Sequence, residues 1–233
     1  MLELSIYDLL MKRIIESQKQ HAREKAMITL KKQYRMHPEI ADICRKIAYP
    51  EGLEDADIDV KLKINSFEHE NSWFGQVLDS EKPVVFVSTG QISFNETKTE
   101  SGSYINKRNA DIIESIITKF KEAGVLPGQI SVISSYKGQK ELLCNRLKFC
   151  AVGTVDSFQG DESDVVLFDI TRDNSFGRIG FLNNPKRLNV AVSRARKKLV
   201  IVGNHYNLKY VTDSVFKTFF DEISKNIVVV PLD

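Results

Sequence analysis

The feature that most constrains the fold is a series of short apolar runs, rich in β-branched residues, that alternate with segments of helical length. Such runs are typical of strands that are buried on both faces of a parallel sheet. The predicted strands cover residues 84–87, 130–133, 152–155, 165–170, 199–202 and 227–230, and the predicted helices cover residues 106–122, 138–147, 185–194 and 207–223. This alternation predicts an α/β three-layer domain with a mainly parallel sheet.

The part of the chain before these runs is less regular. Residues 1–26 have apolar positions near helical spacing and then a charged stretch, which predicts an N-terminal helix and a connection before a strand at 27–30. A short helix is predicted at 37–47, with Pro38 in its first turn, where a missing N–H costs nothing. Residues of about 49–82 mix acids with Asn and Ser, which indicates a less regular insertion in a domain of residues 27–233.

The composition excludes several classes of protein. The chain has 233 residues, of which 42% are hydrophobic, so it can bury a full core. The net charge of +2 requires that any basic surface be local. Three cysteines without a CxxC pair and four histidines give no zinc-ligand spacing, so we predict no metal site. No apolar run approaches the roughly 20 residues of a membrane span, and we expect a soluble intracellular protein of the cytoplasm or the nucleus.

A phosphate loop is missing from the sequence. A domain that hydrolyses nucleotides alone needs a glycine-rich loop ending in Gly-Lys-Ser/Thr, because backbone N–H groups and a lysine must surround the phosphates. The apolar run 165–168 does end in Asp169, as the magnesium-binding strand of such enzymes ends in an acid. We interpret Asp169 as an ordinary strand-end acid, since no Glu follows it and no phosphate loop precedes it.

Three strings carry the chemistry, and they follow one another in a particular order. They are Gln33-Tyr34-Arg35-Met36-His37-Pro38, Thr154-Val155-Asp156-Ser157-Phe158-Gln159-Gly160-Asp161-Glu162 and Arg187-Leu188-Asn189-Val190-Ala191-Val192-Ser193-Arg194-Ala195-Arg196. They resemble motifs IV, V and VI of superfamily 1 helicases, in the branch of the nonsense-mediated-decay, senataxin and immunoglobulin mu-binding helicases. Residues 103–106 and 134–139 resemble intermediate motifs of that branch, so the resemblance spans about 31–204. It implies a RecA-like domain, the second motor domain of a helicase.

The resemblance implies roles for three side chains at an ATP site. Arg35 and Arg194 are similar to arginines that reach across a cleft to the γ-phosphate, and planar, permanently charged guanidinium groups suit phosphate oxygens. Tyr34 is similar to the aromatic residue that stacks on the adenine base. The alternatives are structural, with Arg35 paired with Glu39, Arg194 paired with Asp156, and Tyr34 packed in the core.

Two further residues belong to the same predicted site. Gly160 follows a predicted strand and permits a turn that brings the backbone close to a ligand. By resemblance, Glu162 contacts the ribose or organises the two arginines, whereas the alternative is a solvated loop acid. Asp161 departs from the family pattern, which often has a basic residue there, and it adds negative charge near a phosphate site.

Four residues are candidates for contacts with nucleic acid. Thr154 and Asp156 resemble the motif V residues that contact the backbone of a strand, and Tyr136 and Gln139 resemble a second set. Small hydroxyl and amide groups suit phosphate and sugar contacts that read no sequence. The alternatives are helix capping and exposed polar loops. No motif separates DNA from RNA, which differ at such sites chiefly in a 2′-hydroxyl contact.

The predicted function is ATP-dependent translocation on single-stranded DNA or RNA, with unwinding, and the resemblance implies 5′ to 3′ polarity. ATP with Mg²⁺ is the predicted cofactor, and a first RecA-like domain of the same polypeptide, absent from this chain, would hold the metal. Met1 lies shortly before the first string, which suits a chain cut between two motor domains, and the chain alone is predicted to be inactive. The alternative is a non-catalytic RecA-like module that binds nucleic acid or protein.

Overall fold

A computed structural model describes residues 9–10, 12–14, 16, 30–65, 72–89, 95–158, 160–212 and 214–231. The chain divides into two compact units, Met1–Lys32 and Gln33–Asp233. In the first unit, the described residues between 9 and 16 are helical. Most of the predicted N-terminal helix, and residues 27–29 of the predicted strand, lie outside the described residues.

Ten strands are described. They are β1 (Lys32–Gln33), β2 (Glu54–Asp55), β3 (Val84–Ser88), β4 (Glu96–Lys98), β5 (Tyr104–Asn106), β6 (Ile130–Ser134), β7 (Ala151–Thr154), β8 (Ser163–Asp169), β9 (Ala195–Gly203) and β10 (Ile227–Val229). Six of them form one sheet in the order β10-β3-β9-β8-β6-β7, and every neighbouring pair is parallel. All six strands predicted from the apolar runs are therefore confirmed. Two small two-stranded sheets, β1-β2 and the antiparallel β4-β5, accompany the main one.

Seven α-helices of the described chain have defined bounds. They are α1 (Pro38–Ala48), α2 (Trp73–Leu78), α3 (Lys107–Glu122), α4 (Lys137–Arg146), α5 (Pro185–Val192), α6 (His205–Leu208) and α7 (Ser214–Ile223). Side chains of the preceding residues cap four of them, and at the start of α6 Asn204 accepts from Tyr206 N–H. Asn106 accepts from Asn109 N–H at the start of α3, and Asn184 accepts from Lys186 N–H at the start of α5. His37 caps α1 in the same way, and Pro38 takes the first helical position, as predicted.

The sheet separates two hydrophobic cores, which gives the predicted three layers. On β3, Phe86 faces the core covered by α1, α5 and α7, whereas Val85 and Val87 face the core covered by α2, α3 and α4. Successive side chains of a strand point to opposite faces, so a strand buried on both faces must be apolar at every position. That requirement is why the β-branched runs identified the strands.

The fold differs from the sequence prediction at three places. Residues 207–223 do not form one helix, because α6 ends at Leu208 and the chain then turns Val211 into the core before α7 begins. The helix predicted at 185–194 ends at Val192, and the next two residues lead directly into β9. The β4-β5 hairpin was not predicted, since strands of three residues are too short to show an alternating pattern. Within the described residues, no helix is long and apolar enough to cross a membrane.

Candidate nucleotide cleft and nucleic-acid edge

A cleft of about 440 Å³ lies at the amino-terminal edge of the sheet, where β8 and β9 begin. The turn between β1 and α1 supplies one wall, and the residues just before β8 and β9 supply the other. His37 N–H donates to the Arg196 carbonyl oxygen at 2.7 Å, which ties the first string to the start of β9. The cleft is lined by Gln33, Tyr34, Arg35, Met36, Tyr49, Leu53, Glu162, Asn189, Ser193 and Arg194.

Arg35 is held in the cleft by an acid that is distant in sequence. Its Nε lies 2.6 Å from Oε2 of Glu162, and both side chains are more than one-third exposed. Its Nη1 donates to the Ser193 carbonyl oxygen at 3.4 Å, and its backbone N–H donates to Oε1 of Gln33 at 2.8 Å. The partner is thus Glu162 rather than Glu39, so the local pairing that we considered as an alternative is absent from the described contacts of Arg35.

Arg194 is held differently, because the residue is buried, with 9% of its surface exposed. Each of its three nitrogen atoms donates to a neutral acceptor at 3.0–3.1 Å, namely the carbonyl oxygens of Val190 and Asp161 and the hydroxyl group of Ser193. These bonds fix the orientation of the guanidinium group without neutralising its charge. A buried cation whose described acceptors are all neutral retains its attraction for an anion that enters the cleft.

The electrostatics of the cleft favour an anion. Burial lowers the pKa of Arg194, and the neighbouring Arg35 lowers it further. Glu162 acts in the opposite direction on this pKa, and the guanidinium group stays charged at physiological pH. Glu162 also lies 3.7 Å from the guanidinium group of Arg196, so one carboxylate faces three arginines. Phosphate oxygens are the natural partners of such a set.

Tyr34 and Gly160 occupy positions compatible with their predicted roles. Tyr34 is 70% exposed at the cleft, which excludes the alternative that it packs in the core. Gly160 has a φ of +107°, a conformation that residues with a Cβ rarely adopt. A Cβ at Gly160 would meet no atom within 4 Å, so the backbone conformation is the reason for glycine. Gln159, which precedes it in the second string, lies outside the described residues.

The residues predicted to contact nucleic acid lie at the opposite, carboxyl-terminal edge of the sheet. Thr154 is the last residue of β7, and its N–H donates to the Ser157 hydroxyl group at 2.8 Å. Asp156 follows it and is highly exposed, and its Oδ1 lies 3.4 Å from Nε of Arg187 in the first turn of α5. Asp156 therefore pairs with Arg187 and not with Arg194.

Tyr136 and Gln139 require a correction, because both side chains are buried. Gln139 is fully buried, and its amide group accepts from Asn106 N–H at 2.7 Å and donates to the Asn106 carbonyl oxygen at 3.0 Å. Tyr136 is 5% exposed, and its hydroxyl group accepts from Arg172 at 3.3 Å. With their polar atoms occupied inside the fold, these side chains do not offer a surface to a nucleic acid in this conformation.

Asp169 is part of a buried polar network. It is fully buried, and it accepts hydrogen bonds from Asn109 at 2.6 Å and from Thr171 at 3.3 Å. Burial raises the pKa of Asp169 to about 7, and the hydrogen bonds from Asn109 oppose that rise. Among the residues that the structure describes, no group of three or more His, Cys, Asp or Glu side chains could hold a metal ion.

Tyr49 and Ser193, which line the cleft, and Arg196, which pairs with Glu162, were not predicted from the sequence. Tyr49 reaches the cleft from the end of α1, and its hydroxyl group accepts from Asn189 at 3.3 Å. Nothing in its local sequence signals that position. Ser193 and Arg196 lie inside the third string and could have been chosen from their neighbours, since a residue flanking a predicted phosphate ligand is a natural second candidate.

Comparison with known proteins gives one family and several relatives. A family model described as an AAA domain matches residues 7–206. The "Regulator of nonsense transcripts 1" of Dictyostelium discoideum is 36% identical over 188 residues, which are 74% of this chain and 13% of that protein. The "DNA replication ATP-dependent helicase/nuclease DNA2" of Homo sapiens is 32% identical over 198 residues, which are 76% of this chain and 19% of that protein. This chain thus spans less than a fifth of the length of either relative.

The chain also resembles solved structures. One of them is the C-terminal domain of a DNA helicase candidate from a Lactobacillus, with 12% sequence identity and a TM-score of 0.44 over 84% of this chain and 98% of that chain. That score is too low to carry an argument. The fold class rests instead on the parallel order of the six strands and on the two helical layers.

Proposed function

Because the chain belongs to the AAA domain family, as the C-terminal RecA-like domain of a superfamily 1 helicase, we propose that it supplies one half of a composite ATP site. The other half would come from a first RecA-like domain of the same polypeptide. The assembled pair would hydrolyse ATP to translocate on, and unwind, nucleic acid.

The observation that carries this proposal is the cleft that gathers Tyr34, Arg35, Glu162 and Arg194 from three separate strings. Two guanidinium groups lie beside Ser193, and one of them has only neutral acceptors among its described contacts. Tyr34 lines the same cleft with 70% of its surface exposed, which suits stacking on a base. A nucleotide fits this set, because phosphates need positive charge and adenine needs a stacking surface.

In the proposed mechanism, Arg35 and Arg194 donate to oxygen atoms of the γ-phosphoryl group and stabilise the charge that it carries during transfer. Arg194 is already oriented by three hydrogen bonds, so little reorganisation accompanies the reaction. Arg35 is held by Glu162 and would exchange that carboxylate for phosphate when the domains close. The phosphate loop and the magnesium ligands are assigned to the first domain.

At the carboxyl-terminal edge, we propose that Thr154 and Asp156 contact the backbone of single-stranded DNA or RNA. Both are accessible there, next to Arg187. Tyr136 and Gln139 act instead as supports for this edge, since their side chains are buried. The 5′ to 3′ polarity rests on the resemblance to the helicase branch.

The test is nucleic-acid-stimulated ATP hydrolysis by a protein that joins this chain to a first motor domain. We expect Arg194→Ala to lower turnover by about two to four powers of ten, because it removes charge that stabilises the transferring phosphoryl group. Arg146→Ala is the matched control, since Arg146 pairs with Asp111 and Glu114 away from the cleft. Turnover that is equal in Arg194→Ala and Arg146→Ala would contradict the assignment.

A second experiment uses the 233-residue chain alone. We expect no measurable ATP hydrolysis, because the chain has neither a phosphate loop nor an Asp-Glu strand end. Hydrolysis that disappears in Asp169→Asn would mean that Asp169 is a catalytic acid and not the buried strand-end acid described above.

One observation favours a second candidate function, that of a non-catalytic module that binds nucleic acid or protein. Arg35 is already paired with Glu162 at 2.6 Å, and Asp161 adds further negative charge beside the cleft. In such a module, Arg194→Ala in the joined protein would leave a low basal turnover unchanged, so the turnover experiment also decides between the two functions.

A further inference from the structure

Three exposed aromatic rings at the carboxyl-terminal edge of the sheet each have a cation over one face. The distances from the charged group to the ring centroid are 5.3, 4.9 and 5.0 Å, for the pairs Arg178 with Phe176, Arg187 with Phe181, and Lys209 with Tyr210. We name these six residues the aromatic–cation track. None of its three aromatic residues belongs to the strings that predicted the ATP site.

The exposure of these rings is unusual for aromatic residues. Phe176 is 76% exposed, Phe181 is 51% exposed and Tyr210 is 68% exposed. Among the described residues, the other exposed aromatic side chains are Tyr34 and Tyr49, and both line the nucleotide cleft. Grouped apolar rings that face solvent mark interaction sites. The track is therefore a candidate interaction surface, on the edge opposite the cleft.

The aromatic–cation track lies beside the proposed nucleic-acid contacts. Phe176 follows β8, Tyr210 follows β9, and Phe181 precedes α5, whose Arg187 also pairs with Asp156. Thr154 ends β7, which is three strand positions from β9 in the same sheet. With parallel strands about 4.8 Å apart, these ends span ~14 Å along one edge. The edge thus continues from Thr154 to Tyr210.

Hydrogen bonds hold the loops that carry the rings. Asn174 accepts from the N–H groups of Phe176 and Arg178 at 3.1 Å each, and it donates to the Arg178 carbonyl oxygen at 2.8 Å. Asp173 accepts from Asn204 and Asn207, which joins the loop after β8 to the loop after β9. Ordered loops lose little entropy on binding, which is a property of built sites.

A glycine brings the two loops into contact. Gly177 has a φ of +59°, and a Cβ there would come within 3.1 Å of the Tyr210 carbonyl oxygen. Both the backbone conformation and the close approach therefore require glycine. The contact places the loop of Phe176 directly against the backbone of Tyr210.

We propose that the aromatic–cation track binds single-stranded nucleic acid, with bases stacked on Phe176, Phe181 and Tyr210 and phosphates paired with the three cations. The proposal rests on the proposed function and adds nucleic-acid contacts to those of Thr154 and Asp156. Stacking on a ring needs an unpaired base, so the track selects a single strand and reads no sequence. The cations supply the local positive charge that the nearly neutral chain lacks overall.

The first test measures binding of the 233-residue chain to a fluorescein-labelled oligothymidylate and the matching oligouridylate. We expect Phe176→Ala and Tyr210→Ala each to weaken binding about five- to a hundredfold, the range for loss of one stacked base. Phe176→Leu keeps apolar bulk without a flat ring and should also weaken binding. Leu126→Ala, which removes an exposed apolar side chain just before β6 begins, should leave binding unchanged.

The second test measures the salt dependence of the same binding. Each phosphate contact on a single strand contributes about 0.7 to the slope of log affinity against log salt. Arg178→Gln and Lys209→Gln should each reduce the slope by about that amount. Lys121→Gln is the matched control, because Lys121 also lies over a ring, that of Phe149, away from the track.

The outcomes separate this proposal from the proposed function. Wild-type binding with unchanged affinity in the Phe176 and Tyr210 variants would overturn the track and leave the ATP site standing. Failure of the wild-type chain to bind either oligonucleotide would also overturn the proposal for the track, because a surface that binds a protein partner would give that result. By contrast, if Arg194→Ala does not lower the turnover of the joined protein, that result contradicts only the composite ATP site.

Discussion

Lys198 is a fully buried cation in β9 whose ammonium group donates to the carbonyl oxygens of Asp79 and Lys82 at 2.8 and 2.6 Å. Burial lowers the pKa of Lys198 to about 7. Between about pH 7 and the ordinary pKa of 10.5, the unfolded chain therefore binds more protons at this position than the folded chain does. The contribution of Lys198 to the free energy of unfolding rises with pH across that window, and it is least favourable below about pH 7.

Lys198→Met should remove this pH dependence. We expect the free energy of unfolding of the wild type to increase relative to that of Lys198→Met as the pH rises from 7 to 10. The variant has no group to deprotonate at this position. Urea unfolding at several pH values measures it. A difference that is constant across this range would show that Lys198 titrates normally in the folded protein.

At the same scale, the sequence predicted Tyr34, Arg35, Glu162 and Arg194 as candidate site residues, and they line one cleft, but their mutual contacts could not be predicted. Arg35 and Glu162 are 127 positions apart, and they meet only because α1 packs against α5 and the start of β9. No local pattern encodes such a contact. Tyr136 and Gln139 show the reverse case, in which residues in motif-like positions serve the fold with their side chains.

Among the elements, the β4-β5 hairpin is joined to α4 in part by one amide side chain. Gln139 in α4 pairs with both backbone polar groups of Asn106, the last residue of β5 and the cap of α3. Gln139→Leu would leave a buried N–H and a buried carbonyl group without these partners, and we expect it to lower the free energy of unfolding by ~2 kcal/mol. Chemical denaturation measures the loss.

Glu141→Ala on the same helix is the control for that experiment, because Glu141 is exposed and should change stability by less than about 0.5 kcal/mol. If the Gln139 side chain contacted nucleic acid instead of stabilising the fold, Gln139→Leu would have the same stability as Glu141→Ala and would weaken nucleic-acid binding.

The strands could be predicted and the hairpin could not, for a physical reason. Strands such as β3 and β8 are buried on both faces, so their central positions are all apolar and the run stands out in the sequence. The hairpin strands have three residues each and are partly exposed, and they owe their position to Gln139 and to Glu96, which pairs with Arg172 at 2.8 Å. Contacts of that kind are tertiary and leave no periodic signal.

For the whole molecule, the nearly neutral charge required that any basic surface be local, and the structure has two such surfaces at opposite edges of the sheet. The cleft lies where β8 and β9 begin, and the aromatic–cation track lies where they end. Helix α5 connects the two, since Arg187 is in its first turn and Ser193 and Arg194 follow its last. Eight residues of helix span ~12 Å, so a rigid element joins both surfaces.

The central claim is that Arg35 and Arg194 act on the transferring phosphoryl group of a nucleotide held by another domain. The most direct measurement compares the affinities of ADP and of ADP with aluminium fluoride, which mimics that group, for the joined protein and its Arg194→Ala variant. We predict that Arg194→Ala leaves ADP binding within a few-fold of wild type and weakens binding of the aluminium fluoride complex by at least about a hundredfold. Equal affinities of the two proteins for that complex would contradict the account.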